Sequence, residues 1–301
     1  MSSIATRKIL STYHGFSEIK WFYNFRELTR VFDDKICANN AARMFQEYSK
    51  ITNDWSEDTN SEWLCRIYFS AKMVFQATLQ LMSLEFAIEK NLRVVTSYLE
   101  YYAIFSACRC VVATLPNIPW ADGRLFSMDH SKVINITFDH LGHFDKNMSS
   151  ELKEKVIFKK ACRELISYKA PSSGDYGLDN EFDIKELCTL LVELGQFNSE
   201  ILEKSIIKNA NKNNFKFKTK YIDDLSRITI GKNVFYDDED WSRLDYLRRK
   251  WPMPPNILHI MTEGHTEDFF GAWEPKEDYE TDGDILYTGS PSNWGVIFDI
   301  P

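Results

Sequence analysis

The stretch Leu64–Phe86 contains neither glycine nor proline. Its apolar residues Ile67, Tyr68, Ala71, Val74, Phe75, Leu79, Met82 and Phe86 return every three or four positions. That spacing commits the chain to a long helix with a wide apolar face, and the rest of the fold must supply elements to cover it. Several candidates follow in order. A helix is expected from about Val94 to Ala113, with Tyr98, Tyr101, Tyr102, Phe105 and Val112 in its stripe and Arg109 on the same face. Pro116 and Pro119 stop it. Another is expected after "ADGRLFSMDH", with Ser127 or Asp129 as N-cap and Val133, Ile134, Phe138 and Leu141 buried. "ELKEKVIFKKACRELISY" reads as a further helix on Ile157, Ala161, Leu165 and Tyr168, and Ile184 to about Lys208 as the next. Tyr98, Tyr102 and Phe105 are expected to pack on the Leu64–Phe86 helix.

The N-terminal "FSEIKWFYNFRELTRVF" shows Phe22, Phe25, Leu28, Val31 and Phe32 at helical steps, and "AARMFQEYSKI" continues them after a break at Asn39-Asn40. Towards the other end the texture changes. "FKFKTKYI" alternates with a period of two, and "RITIGKNVFY" reads as two short strands about a Gly-Lys-Asn turn. The last sixty residues mix Trp, Pro, Gly and acidic residues, which suits short elements or an aromatic-packed arm. The expectation is a mainly α protein. An N-terminal helical extension (1–54) leads into a helical bundle (55–170). A C-terminal region (171–301), first helical and then mixed and acidic, carries a small β element.

Composition excludes some functions. Residues 221–301 hold 17 Asp/Glu and 7 Lys/Arg, whereas the remaining 220 hold 27 and 29. The chain is therefore no general nucleic-acid coat, and any RNA contact is local to its first two thirds. The most apolar run, "YAIFSACRCVVATL", is too short to span a membrane and contains Arg109. "MSSIATRKIL" lacks the apolar core of a signal peptide, and the six cysteines have no metal spacing. A reduced, cytoplasmic protein is expected. No GxxxxGK[ST], GxGxxG or Ser-His-Asp arrangement is present.

The pair with chemistry in it is Arg124 and His130. A histidine at a helix start can exchange protons near neutral pH, and an arginine offers a planar fork of donors to a phosphate. The segments "YLEYYAIFSACRCVV" and "RLFSMDHSKVINITF" resemble the central helices of HEPN-domain proteins. Tyr101, Tyr102, Ala103, Phe105, Ala107 and Arg109 follow the first pattern. Arg124 and His130, with five residues between them, follow the second. The pattern departs at Leu125, where many active members carry a polar residue. The resemblance covers roughly residues 60–170. It implies a HEPN-like bundle and a metal-independent endoribonuclease, of the kind found among toxins and antiviral-defence effectors. Arg124 and His130 would be catalytic, Arg109, Asp129 and Ser131 would bind substrate, and no cofactor or metal would be required. It also implies RNA as substrate, a homodimer through the bundle and a possible regulatory protein partner. The alternative is a silent HEPN-like adaptor that binds a protein. On that reading Arg109 is a structural cation paired with Glu100 or Asp129.

Other clusters are weaker. His140 and His143 are read as a surface pair at a helix end. "HIMTEGHTED" (His259, Glu263, His265, Asp268) and "YDDEDW" (Asp237 to Asp240) have no defined metal spacing. Lys216, Lys218 and Lys220 on an alternating strand would form one basic face.

Overall fold

The computed structural model describes residue 16, residues 19–178 and residues 182–273. Among these the chain is mainly helical, with one two-stranded antiparallel sheet towards the C-terminal region. The helices are α1 (Glu27–Val31), α2 (Asp34–Thr52), α3 (Glu57–Glu89), α4 (Arg93–Ala113), α5 (His130–Leu141), α6 (Lys146–Lys169), α7 (Ile184–Asn209) and α8 (Lys220–Ser226). Strands β1 (Arg227–Ile230) and β2 (Asn233–Tyr236) follow, then α9 (Asp238–Lys250), α10 (Ile257–Ile260) and α11 (Glu263–Gly271). No helix among the described residues is long and apolar enough to cross a membrane.

Two compact units are present. The first comprises Met1–Ala71, Val111–Asp129 and Leu194–Met261, and the second Lys72–Cys110, His130–Glu193 and Thr262–Pro301. Their limits cut through α3, α4 and α7, because contacts between distant stretches define them. The end of the acidic tail, residues 274–301, lies outside the described residues.

Within the first unit, α3 begins where Ser56 Oγ accepts the Thr59 amide at 3.1 Å. Further along α3, Arg66 is almost fully buried. It meets Glu62 through Nε at 2.8 Å and donates to the carbonyls of Leu115 at 3.3 Å and Ile118 at 2.5 Å. Arg66 thus closes the loop that follows α4. The aromatics Phe16, Trp21, Phe25 and Phe197 form a buried group, with Trp21 stacked on Phe197 at 4.9 Å.

Two expectations fail in this unit. Residues 19–25 are not helical. Trp21, Tyr23 and Phe25 are buried alternately with half-buried neighbours, an extended period of two. The Phe22 and Tyr23 amides donate to the fully buried Glu200 carboxylate at 2.5 and 2.8 Å, in place of helical partners. In addition, α2 runs unbroken through Asn39-Asn40, where the Asn40 side chain donates to the Ile36 carbonyl at 3.1 Å.

The hairpin forms where expected, with Ile228 opposite Phe235 and Thr229 opposite Val234. "FKFKTKYI" does not form a strand: it is a loop that enters α8. Its backbone is held by α3, for Asn60 Nδ2 donates to the Lys216 carbonyl and Lys218 N donates to Ser61 Oγ.

In the second unit α3 ends on a left-handed Asn91 (φ 55°). The Leu92 amide reaches the Ala87 carbonyl at 2.7 Å and the Asn91 amide that of Ile88 at 3.1 Å. This double closure, with Asn tolerating the left-handed region, sends the chain straight into α4. Ser106 of α4 donates to Gln80 of α3, and Thr137 of α5 to the Cys108 carbonyl of α4. Phe75 packs against His265, Phe269 and Phe270 of α11. The expected inner face of α6 is wrong. Ile157, Ala161 and Tyr168 are exposed, and the buried residues are Ser149, Val156, Lys159, Cys162 and Arg163.

Candidate functional site

Arg124 belongs to the first unit and His130 to the second. Arg124 opens a short 3-10 turn, Arg124–Ser127, after three consecutive left-handed residues, Ala121, Asp122 and Gly123 (φ 52°, 55° and 77°). Only Gly123 adopts that conformation without steric cost, and a Cβ there would come within 3.1 Å of the Asp224 carbonyl. Trp120 anchors the loop by donating Nε1–H to Asp224 at 3.2 Å. The Arg124 side chain is exposed, and its Nε donates to the Ala121 carbonyl at 2.9 Å.

His130 is the first residue of α5 and half-buried. Its ring lies flat on Phe105 of α4, with centroids 4.0 Å apart and planes 10° from parallel. Nδ1 is 2.6 Å from the hydroxyl of Tyr101, one turn earlier on α4. Tyr101 is fully buried, and that burial pushes its hydroxyl well above the ordinary phenol range, so it stays protonated. A phenol O–H can donate to Nδ1 or accept from it, so Tyr101 supports either neutral tautomer as well as the imidazolium.

Cations gather round this pair. The Arg163 guanidinium of α6 stands 5.2 Å from the Tyr101 ring centroid and 5.6 Å from that of Tyr102. Lys160 donates to Ser131 Oγ at 3.0 Å. Lys159 is buried and bonds Glu100 at 2.9 Å. Arg109 lies 6.0 Å from the Phe105 centroid, and desolvation lowers its pKa to about 10, which leaves it charged at neutral pH. The Glu100 carboxylate expected to pair with Arg109 goes to Lys159 instead. Asp129, the last residue before α5, is exposed.

Of the residues singled out in the sequence, the structure brings His130, Ser131 and Arg109 to the facing parts of α4, α5 and α6. Tyr101 entered the reading only as part of the helix pattern. Lys159, Lys160 and Arg163 were missed. Their signal is a four-residue spacing, Lys159 to Arg163, on what reads as the polar side of an amphipathic helix.

The remaining candidates take other roles. His140 is buried rather than at the surface, and its ring lies 6.4 Å from that of the exposed His143. Lys216 is met by Glu57 at 2.9 Å, while Asp58 takes both Lys218 and Lys220. Those bonds, with one from the Tyr221 hydroxyl, hold the Asp58 carboxyl down at about 2 against the opposing effect of desolvation. Asp237 caps α9 by accepting the Asp240 amide at 3.2 Å. His259 sits against Phe22 and Trp251, with Glu203 at 3.3 Å from its Nδ1. The Glu263 side chain lies outside the described residues, and among those described no group of three or more His, Cys, Asp or Glu could hold a metal ion. All six cysteines are free and buried. Burial raises every one of their thiols, Cys108 to about 12, so none is a ready thiolate nucleophile.

No family model, curated protein or solved structure matches the chain.

Proposed function

We propose that the protein cleaves RNA without a metal, as HEPN ribonucleases do, with His130 as the group that moves the proton. The observation that carries this reading is the Tyr101–His130 contact: a half-buried imidazole held flat on Phe105, its Nδ1 fixed by a hydroxyl, in a surround rich in guanidinium and ammonium groups. An imidazole fixed at one nitrogen presents the other in a defined direction, as general acid–base catalysis requires.

In the proposed step His130 takes the proton of the ribose 2′-hydroxyl. The 2′-oxygen forms a bond to phosphorus, the bond from phosphorus to the 5′-oxygen breaks, the leaving oxygen takes a proton from water, and His130 returns its own to the solvent. The products are a 2′,3′-cyclic phosphate and a 5′-hydroxyl. Cations offset the charge that builds on the non-bridging oxygens. Dependence on the 2′-hydroxyl confines the substrate to RNA. The part given to Arg124 rests on the HEPN resemblance alone.

The test is cleavage of a mixed RNA pool in EDTA by wild type, His130→Ala and Arg124→Ala, with circular dichroism to establish folding. The expected result is metal-free cutting that falls about a hundredfold or more in His130→Ala. Cutting that survives both substitutions refutes the reading. A second reading, a silent adaptor that binds a protein partner, is favoured by the exposed apolar residues Ile157, Phe158 and Tyr168 on α6. It predicts no cutting, together with association through α6 that Ile157→Asp disrupts in light scattering.

A further inference from the structure

Arg163 is the cation that the fold treats most unusually. It is only 8% exposed, and its Nε is buried with no hydrogen-bond acceptor. The Glu164 carboxylate approaches its terminal nitrogen only to 3.8 Å, beyond hydrogen-bond distance. Burial by itself would lower its pKa. The hydroxyls of Tyr102, Tyr168 and Tyr101 and the Glu164 carboxylate more than offset this, and the group stays fully charged. The Tyr168 and Tyr101 hydroxyls take part of the guanidinium's five donors, but Nε stays buried without an acceptor, and an anion would complete it.

We propose that Arg163, with Lys160, forms an anion site at the start of α5 that holds a phosphodiester of an RNA strand against His130. Three further observations converge on the place. Lys160 already reaches the first turn of α5 through Ser131 at 3.0 Å. That turn is the positive end of a twelve-residue helix, where first-turn amides and the macrodipole favour anions. Tyr101 joins the two sides, bonding His130 through its hydroxyl at 2.6 Å while its ring lies under Arg163. The charges facing the site from α4 and α6 are Arg109, Lys159, Lys160 and Arg163 against Glu100 and Glu164. Asp129 stands at the head of α5, and cations outnumber carboxylates even so. Choosing a nucleic-acid phosphodiester as the anion rests on the ribonuclease reading above, but the anion site itself does not.

The probe is a fluorescent 2′-O-methyl oligoribonucleotide, which has no free 2′-hydroxyl and cannot be cut. Its binding is followed by anisotropy at about 50 and about 200 mM salt. Wild type is compared with Arg163→Ala, Arg163→Lys and the exposed control Lys212→Ala. The expected result is a loss of about tenfold or more in Arg163→Ala and a smaller loss in Arg163→Lys. The salt slope should fall by about one in Arg163→Ala, with no change in the control. Should Arg163→Ala fail to fold, Arg163→Lys decides, because it keeps the charge and loses the fork. Wild type that does not bind at the lower salt overturns the proposal, and so do folded Arg163 variants that bind like wild type. Inorganic phosphate that binds as tightly as the oligonucleotide overturns the assignment to a nucleic-acid strand. Binding of the probe without cutting of ordinary RNA leaves the anion site standing and removes the ribonuclease reading. Cutting with an unchanged KM in Arg163→Lys does the reverse.

Discussion

Glu200 makes the sharpest quantitative prediction. Its carboxylate is fully buried on α7 and accepts the amides of Phe22 and Tyr23 and the side chain of Gln196. Burial pushes its pKa from 4.5 up to about 7, even though all three hydrogen bonds pull it down. The folded state therefore binds this proton more tightly than the unfolded state does. The stability it lends is fully present below pH 4.5, falls as pH rises between 4.5 and 7, and is gone above about pH 7. At 1.36 kcal/mol per pKa unit, the whole change is about 3 kcal/mol, most of it between pH 5 and pH 8. Glu200→Gln cannot titrate. It sets an amide N–H₂ against one of the two backbone donors, which costs about 1–3 kcal/mol independently of pH. Urea denaturation of wild type and Glu200→Gln across pH 5–8 gives a difference curve in which all other titrations cancel. Wild type is expected to lose about 2–3 kcal/mol relative to the variant across that range. Hydrogen exchange at residues 22 and 23 should quicken over the same interval. Parallel stability curves would show that Glu200 does not bury a charge, and the account of how the N-terminal segment is held would fall with them.

Three other outcomes follow from contacts already described. Tyr101→Phe removes the hydroxyl that bonds both His130 Nδ1 and the Arg163 guanidinium and leaves the ring in place. It should lower cleavage about tenfold while costing about 1 kcal/mol of stability, read by EDTA assay and thermal melting. Arg66→Met deprives the Leu115 and Ile118 carbonyls of a donor and leaves Glu62 without its partner. A loss of about 3 kcal/mol in urea denaturation is expected, with cleavage by the folded fraction unchanged. The combined change Lys216→Ala, Lys218→Ala, Lys220→Ala should leave oligonucleotide affinity within about twofold of wild type. Each of those ammonium groups already faces Glu57 or Asp58, so little free charge is removed. A larger loss would return these lysines to the RNA-binding surface.

The long helices were legible because apolar periodicity survives any tertiary context: α3, α4, α5 and α7 all lie where the spacing puts them. The segment around Trp21 misled because Phe22, Phe25, Leu28 and Phe32 keep helical steps while Trp21, Tyr23 and Phe25 keep a period of two. A buried carboxylate on α7, invisible locally, decided between them. "FKFKTKYI" misled in the same way. Its alternation reflects lysines meeting Glu57 and Asp58 at the start of α3, not a sheet. The site was legible only in part. His130 stood out by residue type and position, but nothing local to Tyr101 says that its hydroxyl bonds an imidazole twenty-nine residues on.

The inner face of α6 explains the rest of the gap. Counting apolar letters selects Ile157, Ala161, Leu165 and Tyr168, whereas the fold buries Val156, Lys159, Cys162 and Arg163. Long basic side chains can lay their stems on a core and still carry charge, so a pattern built on hydrophobicity assigns them to solvent. Burial on these terms is not a route to stability, since a whole buried ion pair replaced by apolar side chains of similar volume often costs nothing. Lys159 has Glu100 to offset its charge. Arg163 has tyrosine rings and hydroxyls and no hydrogen-bonded carboxylate, close to the His130 imidazole at the start of α5. The apolar residues that the count would have buried are the ones left outside on α6. That inversion links the architecture to the proposed chemistry: the helix turns its cations towards Tyr101 and His130 and leaves its aliphatic side exposed.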